Sequence, residues 1–133
     1  MKANVKREIE HDMMRGLLQL VVLQYLDEGE MHGYKIIKML RDEFGVYFGA
    51  STVYPLLSDL EEKGYVKSSW DLESERIKKS YTLTAEGRGV KDFSQNSFYD
   101  MARKIHSKDP RLQSQKLKEI TPLGRDGETS SVY

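Results

Sequence analysis

The chain has 133 residues, no cysteine, and 21 basic against 21 acidic side chains. This length favours one domain with a modest core, and the lack of thiols excludes a disulfide framework and a thiolate metal site. Zero net charge runs against a nucleic-acid binder unless the basic residues gather on one face. The first residues mix Lys2, Lys6, Arg7 and Glu8 with little apolar content, unlike a signal peptide. The apolar run from Leu17 to Leu23 is too short to span a bilayer and is interrupted by Gln19. A soluble cytoplasmic protein without a membrane partner is therefore expected.

The pattern predicts a first helix from about Asp12 to Asp27. Met13, Leu17, Leu20, Val21 and the run from Leu23 to Leu26 make its apolar surface wider than one stripe. Such a helix is buried centrally or shared between subunits. Gly29 is placed to end it. A second helix is predicted from about Gly33 to Phe44, where Ile36, Ile37, Leu40 and Phe44 keep to one face. Lys35, Lys38 and Arg41 fall opposite, and Gly45 follows.

A third helix begins near Gly49 or Ser51 and ends at Lys63. Val53, Leu56, Leu57 and Leu60 recur at helical spacing, while Ser51, Thr52, Tyr54, Ser58 and Asp59 lie off that face. Pro55 falls close to the first turn if Ser51 is the N-cap, whereas an earlier start predicts a kink. Gly64 suits the C-terminal cap.

A hairpin follows. Val66, Trp70 and Leu72 share one face of its first strand, and Glu73, Ser74 and Glu75 form a polar tip. On the return strand Ile77, Lys79, Tyr81 and Leu83 point one way, and Lys78, Ser80 and Thr82 the other. Thr84 caps a fourth helix with Glu86 in its first turn. Val90, Phe93, Phe98, Met101 and Ile105 make that helix loosely amphipathic to about His106, before Pro110 breaks it. The expected division is a DNA-binding domain with an N-terminal helix over 1–84, a dimerisation helix over 85–106, and a polar tail over 107–133. A short helix from about Leu112 to Ile120 is the most the tail is expected to hold. The fold class is mainly α with a small β-hairpin: a winged helix-turn-helix plus a C-terminal dimerisation helix. Two short helices, a tight break and a hairpin present one helix to a DNA groove.

The residues then sort by chemistry. Ser51, Thr52, Tyr54 and Ser58 are the DNA-facing candidates of the third helix, with the Tyr54 hydroxyl suited to a phosphate. None is an Arg, Asn or Gln capable of bidentate base readout. Arg76, Lys78 and Lys79 place three positive charges within four residues on the wing, suited to phosphates beside the minor groove. Lys35 and Lys38 are candidates for the flanking backbone. Leu17, Val21, Val90, Phe93, Phe98, Met101 and Ile105 are the dimerisation candidates, because a lone amphipathic helix must bury its stripe. Trp70 is expected to cover the core where the wing meets the body, and Glu61 and Glu62 to be surface charges. His11, His32 and His106 are dispersed, which argues against a metal, and His32 is expected to cap or pack where the second helix begins. No phosphate loop, nucleophile elbow or His–carboxylate motif is present, so neither an enzyme nor a cofactor is expected.

Arg15-Gly16-Leu17-Leu18, His32-Gly33-Tyr34, Thr52-Val53-Tyr54-Pro55-Leu56-Leu57, Leu60-Glu61-Glu62-Lys63-Gly64 and Tyr81-Thr82-Leu83-Thr84-Ala85-Glu86-Gly87 occur in this order. Together they resemble the PadR family of transcriptional regulators, over about Arg15 to Gly87. The resemblance implies a winged-helix DNA-binding domain, a C-terminal dimerisation helix, homodimers on palindromic promoter sites, and mostly repressor activity. It also implies a small hydrophobic or aromatic effector as a partner. Three departures stand out. Gly49-Ala50-Ser51 occupies the place of a common Ser-Pro-Gly. The wing, Glu75-Arg76-Ile77-Lys78-Lys79-Ser80-Tyr81, keeps the positive charges without the family's glycine and proline. The C-terminal region is short, as in the subfamily with a single dimerisation helix.

The expectation is a homodimeric repressor whose third helix enters the major groove while the wing grips the adjacent backbone. A two-fold dimer places its two recognition helices ~34 Å apart, one turn of DNA. The alternative, kept open by the balanced charge, is a winged-helix protein-interaction module within a larger assembly.

Overall fold

The structure, a computed structural model, describes residues 1–72 and 78–111. The elements in order are α1 (Ala3–Glu28), β1 (Met31–His32), α2 (Gly33–Phe44), α3 (Ala50–Glu62), β2 (Val66–Asp71), β3 (Lys78–Leu83) and α4 (Ala85–His106). They form two units, Met1–Asp92 and a second beginning at Phe93 within α4. The expected polar tip, Arg76, Ile77 and the short helix near 112–120 lie outside the described residues.

Helical spacing builds the core of the first unit. Leu23 from α1, Ile36 and Leu40 from α2, and Val53, Leu57 and Leu60 from α3 are fully buried. Val66 and Tyr81 close that core from the sheet. Burying each such aliphatic side chain contributes roughly 1.5–3 kcal/mol, which is what holds α3 at its angle to α2. The structure is mainly α, but its sheet is larger than a hairpin. The order is β1-β3-β2, with Met31 opposite Tyr81 and His32 opposite Ser80. A two-residue strand carries no alternation to read, and only its neighbour makes it a strand. With β3 in the centre, Ser80 is buried rather than facing water, and its hydroxyl donates to the Glu30 carboxylate.

One expected boundary shifts, and of the two starts open for α3 the earlier one holds. α1 starts at Ala3, nine residues earlier than its apolar pattern, because the charged residues between Val5, Ile9 and Met13 hide a sparse i, i+4 row. Met13 belongs to that row and is exposed, not core. α3 starts at Ala50 with Gly49 as its N-cap, so Pro55 lies inside the helix. The proline leaves the Ser51 carbonyl without its amide partner, yet the helix runs unbroken to Glu62.

The turn out of α3 needs glycine, since Gly64 has φ 83° and its amide donates to the Glu61 carbonyl. Thr84 then caps α4 as its sequence predicts. Its hydroxyl oxygen accepts from the Gly87 amide at 2.9 Å and donates to the Gly64 carbonyl at 2.7 Å. Gly87 lies so close to the chain at Tyr65 that a Cβ there would sit 1.9 Å from the Tyr65 carbonyl oxygen. The start of α4 is also tied to the end of α1, with Asp27 accepting from Arg88 at 3.0 Å and Lys91 at 2.9 Å. The two cations hold the Asp27 carboxyl below its ordinary pKa.

Candidate nucleic-acid interface

The residues that α2, α3 and the wing turn away from the core line one cleft of about 940 Å³. α2 is strongly two-sided: Ile36 and Leu40 go inward, which forces Tyr34, Lys35 and Lys38 outward. In α3 the buried triad of Val53, Leu57 and Leu60 leaves Ser51, Thr52, Tyr54 and Ser58 on the solvent side. Across from both helices the wing contributes Lys78 and Lys79. Six of the nine proposed DNA contacts, Lys35, Lys38, Tyr54, Ser58, Lys78 and Lys79, therefore face the same space. Ser51 and Thr52 are exposed on the first turn of α3, outside that lining.

Rings also line the cleft. His32, Tyr34, Trp70 and Tyr81 line it with Tyr54, and sequence reasoning missed all four. Trp70 corrects an expectation, because it leaves the core uncovered and is 59% exposed. Its strand pairs with the central strand, where Trp70 stands opposite Lys79, and the Lys79 ammonium lies 5.5 Å from the ring centroid. Alternation puts Val66 and Trp70 on one side of β2, but the core ends under Val66. His32, at the N-cap position of α2, makes no side-chain cap. Its Nδ1 instead lies 3.3 Å from the Lys79 carbonyl oxygen, and donates to it when protonated there.

Charge in the cleft is lopsided although the chain is neutral. Among the described residues four lysines line it and no carboxylate does. Lys38 has Asp42 at 3.7 Å beyond the rim, with both side chains well exposed, so that pair is weak. Glu61, expected as a surface charge, is the joint between helix and wing. It accepts hydrogen bonds from the Ser68 amide and hydroxyl and stands 3.9 Å from Lys79. Tyr81, buried at the base, has its phenol pushed up by burial, and further by Glu61 and Tyr54.

The dimerisation candidates separate into two groups. Phe93, Met101 and Ile105 are exposed on α4, and Phe98 is half-buried. Val21 is a correction: with 7% of its surface exposed it belongs to the core of its own protomer, and Leu17 and Val90 pack against that core. The apolar surface of α1 is wide because its side chains join one core with those of α2, α3 and the sheet. The exposed apolar row on α1 is Val5, Ile9 and Met13. Among the described residues no group of His, Asp or Glu gathers to hold a metal, and no helix is long and apolar enough to cross a membrane.

Comparison with known proteins agrees with this geometry. Residues 22–92 match the model of the transcriptional regulator PadR-like family. The negative transcriptional regulator PadR of Bacillus subtilis is 32% identical over 75 residues, which are 54% of this chain and 41% of that protein. The chain thus spans less than half the length of that relative. A PadR family regulator from Eggerthella lenta superposes with a TM-score of 0.70 at 29% identity, over 77% of this chain and 89% of the other. Bacillus subtilis PadR in complex with operator DNA superposes with a TM-score of 0.51 at 30% identity, over 57% of this chain and 45% of the other. The family is one of transcriptional regulators rather than enzymes. With its helices, its winged sheet and more than half of its length matched, this chain belongs to the PadR-like family of transcriptional regulators.

Proposed function

We propose that this chain is a cytoplasmic, sequence-specific DNA-binding repressor that acts as a homodimer on a palindromic promoter site. The observation that carries the reading is the meeting of Lys35, Lys38, Lys78 and Lys79 with Tyr54 and Ser58 on one cleft that has no carboxylate among its described lining residues. Lysines rimming a cleft between a helix pair and a wing match the phosphate rails on either side of a major groove. Tyr54 and Ser58 add hydroxyl donors for the backbone, while Ser51 and Thr52 at the tip of α3 are left for base edges. That the similar Bacillus protein has been seen on operator DNA supports the reading. The exposed rows Val5, Ile9, Met13 on α1 and Phe93, Met101, Ile105 on α4 are the surfaces assigned to the second copy. Release by a small hydrophobic or aromatic effector belongs to the same reading, with the exposed rings of Tyr34 and Trp70 as stacking surface for it.

The test is selection from a pool of random-sequence duplexes, followed by binding measurements on the selected duplex at graded salt. Enrichment of a two-fold symmetric site, with affinity falling linearly in log–log coordinates as salt rises, is the expected result. Recovery of no duplex at low salt overturns it and favours a winged helix that serves as a protein-interaction module.

A further inference from the structure

Gly33 is a glycine without a backbone reason. It is the first residue of α2, and its φ is not in the left-handed region, unlike that of Gly45 or Gly64. Alanine would fit the same backbone and favour the helix. What distinguishes the position is the space above it. A Cβ built on Gly33 would lie 2.5 Å from Cε1, 2.7 Å from Cζ and 3.0 Å from the hydroxyl oxygen of Tyr54. Ordinary carbon–carbon contact is about 3.5–4 Å. The Tyr54 ring therefore rests directly on the bare Cα of Gly33 and buries it.

The atoms in conflict are all at the far end of the Tyr54 side chain. None belongs to the backbone or to the core. An added methyl group would push the ring aside, and the helices would stay where Ile36, Leu40, Val53 and Leu57 hold them. This separates Gly33 from Gly87, where the obstacle is the backbone at Tyr65. It also defines where the Tyr54 hydroxyl ends up: at the start of α2, on the lysine-lined cleft. Among the described residues no hydrogen bond holds that hydroxyl, and Tyr54 as a whole is 38% exposed. Its position is thus set by what the ring lies on.

We propose that Gly33 is a positioning residue for DNA binding: its missing side chain seats the Tyr54 ring on the first turn of α2 and so aims the Tyr54 hydroxyl at a DNA phosphate. This rests on the reading of the cleft as the DNA-binding face. Tyr54 is the group that touches DNA, and Gly33 acts only through it.

The test is a double-variant cycle on the full chain: wild type, Gly33→Ala, Tyr54→Ala and the pair, each measured for affinity to a duplex selected by the wild-type protein. Each is also measured for melting temperature, and the tyrosine ring signals are followed by NMR without DNA. Gly33→Ala is expected to leave the melting temperature near that of the wild type, to move the Tyr54 ring signals, and to weaken binding roughly ten- to a hundred-fold, the size of one lost hydrogen bond to a charged group. On the Tyr54→Ala background the same change is expected to do nothing further, because there is no ring left to displace. If Tyr54→Ala weakens binding and Gly33→Ala does not, the positioning role fails while Tyr54 keeps its contact. If Tyr54→Ala binds as tightly as the wild type, the contact and the positioning role fall together. Equal losses from Gly33→Ala on both backgrounds, or a Gly33→Ala chain that melts far below the wild type, show a structural glycine and overturn the proposal.

Discussion

Glu61 of α3 accepts a 2.6 Å hydrogen bond from the hydroxyl of Ser68 on β2, and a second, 3.2 Å long, from the Ser68 amide. The same carboxylate stands 3.9 Å from the Lys79 ammonium on β3. One side chain thus links α3 to both strands of the wing. Glu61→Ala leaves the Ser68 donors without their acceptor. It is expected to lower stability by about 1 kcal/mol in urea unfolding, and to weaken DNA binding even at temperatures where the variant is fully folded. Glu61→Gln, which keeps an acceptor, is expected to recover most of the stability. Wild-type affinity in a folded Glu61→Ala chain would show that the wing needs no such link.

Lys78 and Lys79 are expected to bind phosphates without regard to sequence. Replacing both with Gln should weaken binding to selected and unselected duplexes alike, and lower the log–log salt slope by about 2. A slope identical to that of the wild type would take the wing out of the interface.

Phe93 and Met101 are large apolar side chains exposed on α4. If a second copy covers them, Asp at both positions places unpaired charge in the interface. Sedimentation of the Phe93→Asp, Met101→Asp variant should show monomer. A surviving dimer would move the interface to the α1 row of Val5, Ile9 and Met13.

Asp27 gives stability a pH dependence of known sign. Arg88 and Lys91 hold its carboxyl below the ordinary value of 3.8, so the ion pair contributes above that pH and is lost as pH falls through the lowered value. Lys91, raised above 10.5 by Asp92 and Asp27, acts at the opposite end: its contribution is present below that value and is lost as pH rises through the raised one. Asp27→Asn is expected to melt lower than the wild type at neutral pH, by under about 1 kcal/mol for a partly exposed pair. The two melting curves should converge in acid, and a difference that persists there would mean the loss is one of packing.

α2 and α4, and the glycine turns after α2 and α3, were legible from local pattern. Their information is contained within a few residues: apolar side chains every three or four positions, a threonine to cap α4, glycines where φ turns positive. The same pattern placed Lys35, Lys38, Tyr54 and Ser58 outside the core, since each is excluded from a buried helix face, while Lys78 and Lys79 stood out by their charge. Charge balance over the whole chain was uninformative, because a clustered cation and a dispersed one count alike. Tertiary structure decided what depends on residues far apart in sequence. β1 exists only because Met31 and His32 meet Tyr81 and Ser80. Val21 is inside because it joins the core that residues of α2, α3 and the sheet complete, and Trp70 is outside because the core ends beneath Val66. Glu61 is a joint because Ser68 and Lys79 come to it, and Gly33 is bare because Tyr54 lies on it. Periodicity states which side of an element is apolar; only packing states what stands opposite, and the chemistry of this cleft resides in those opposites.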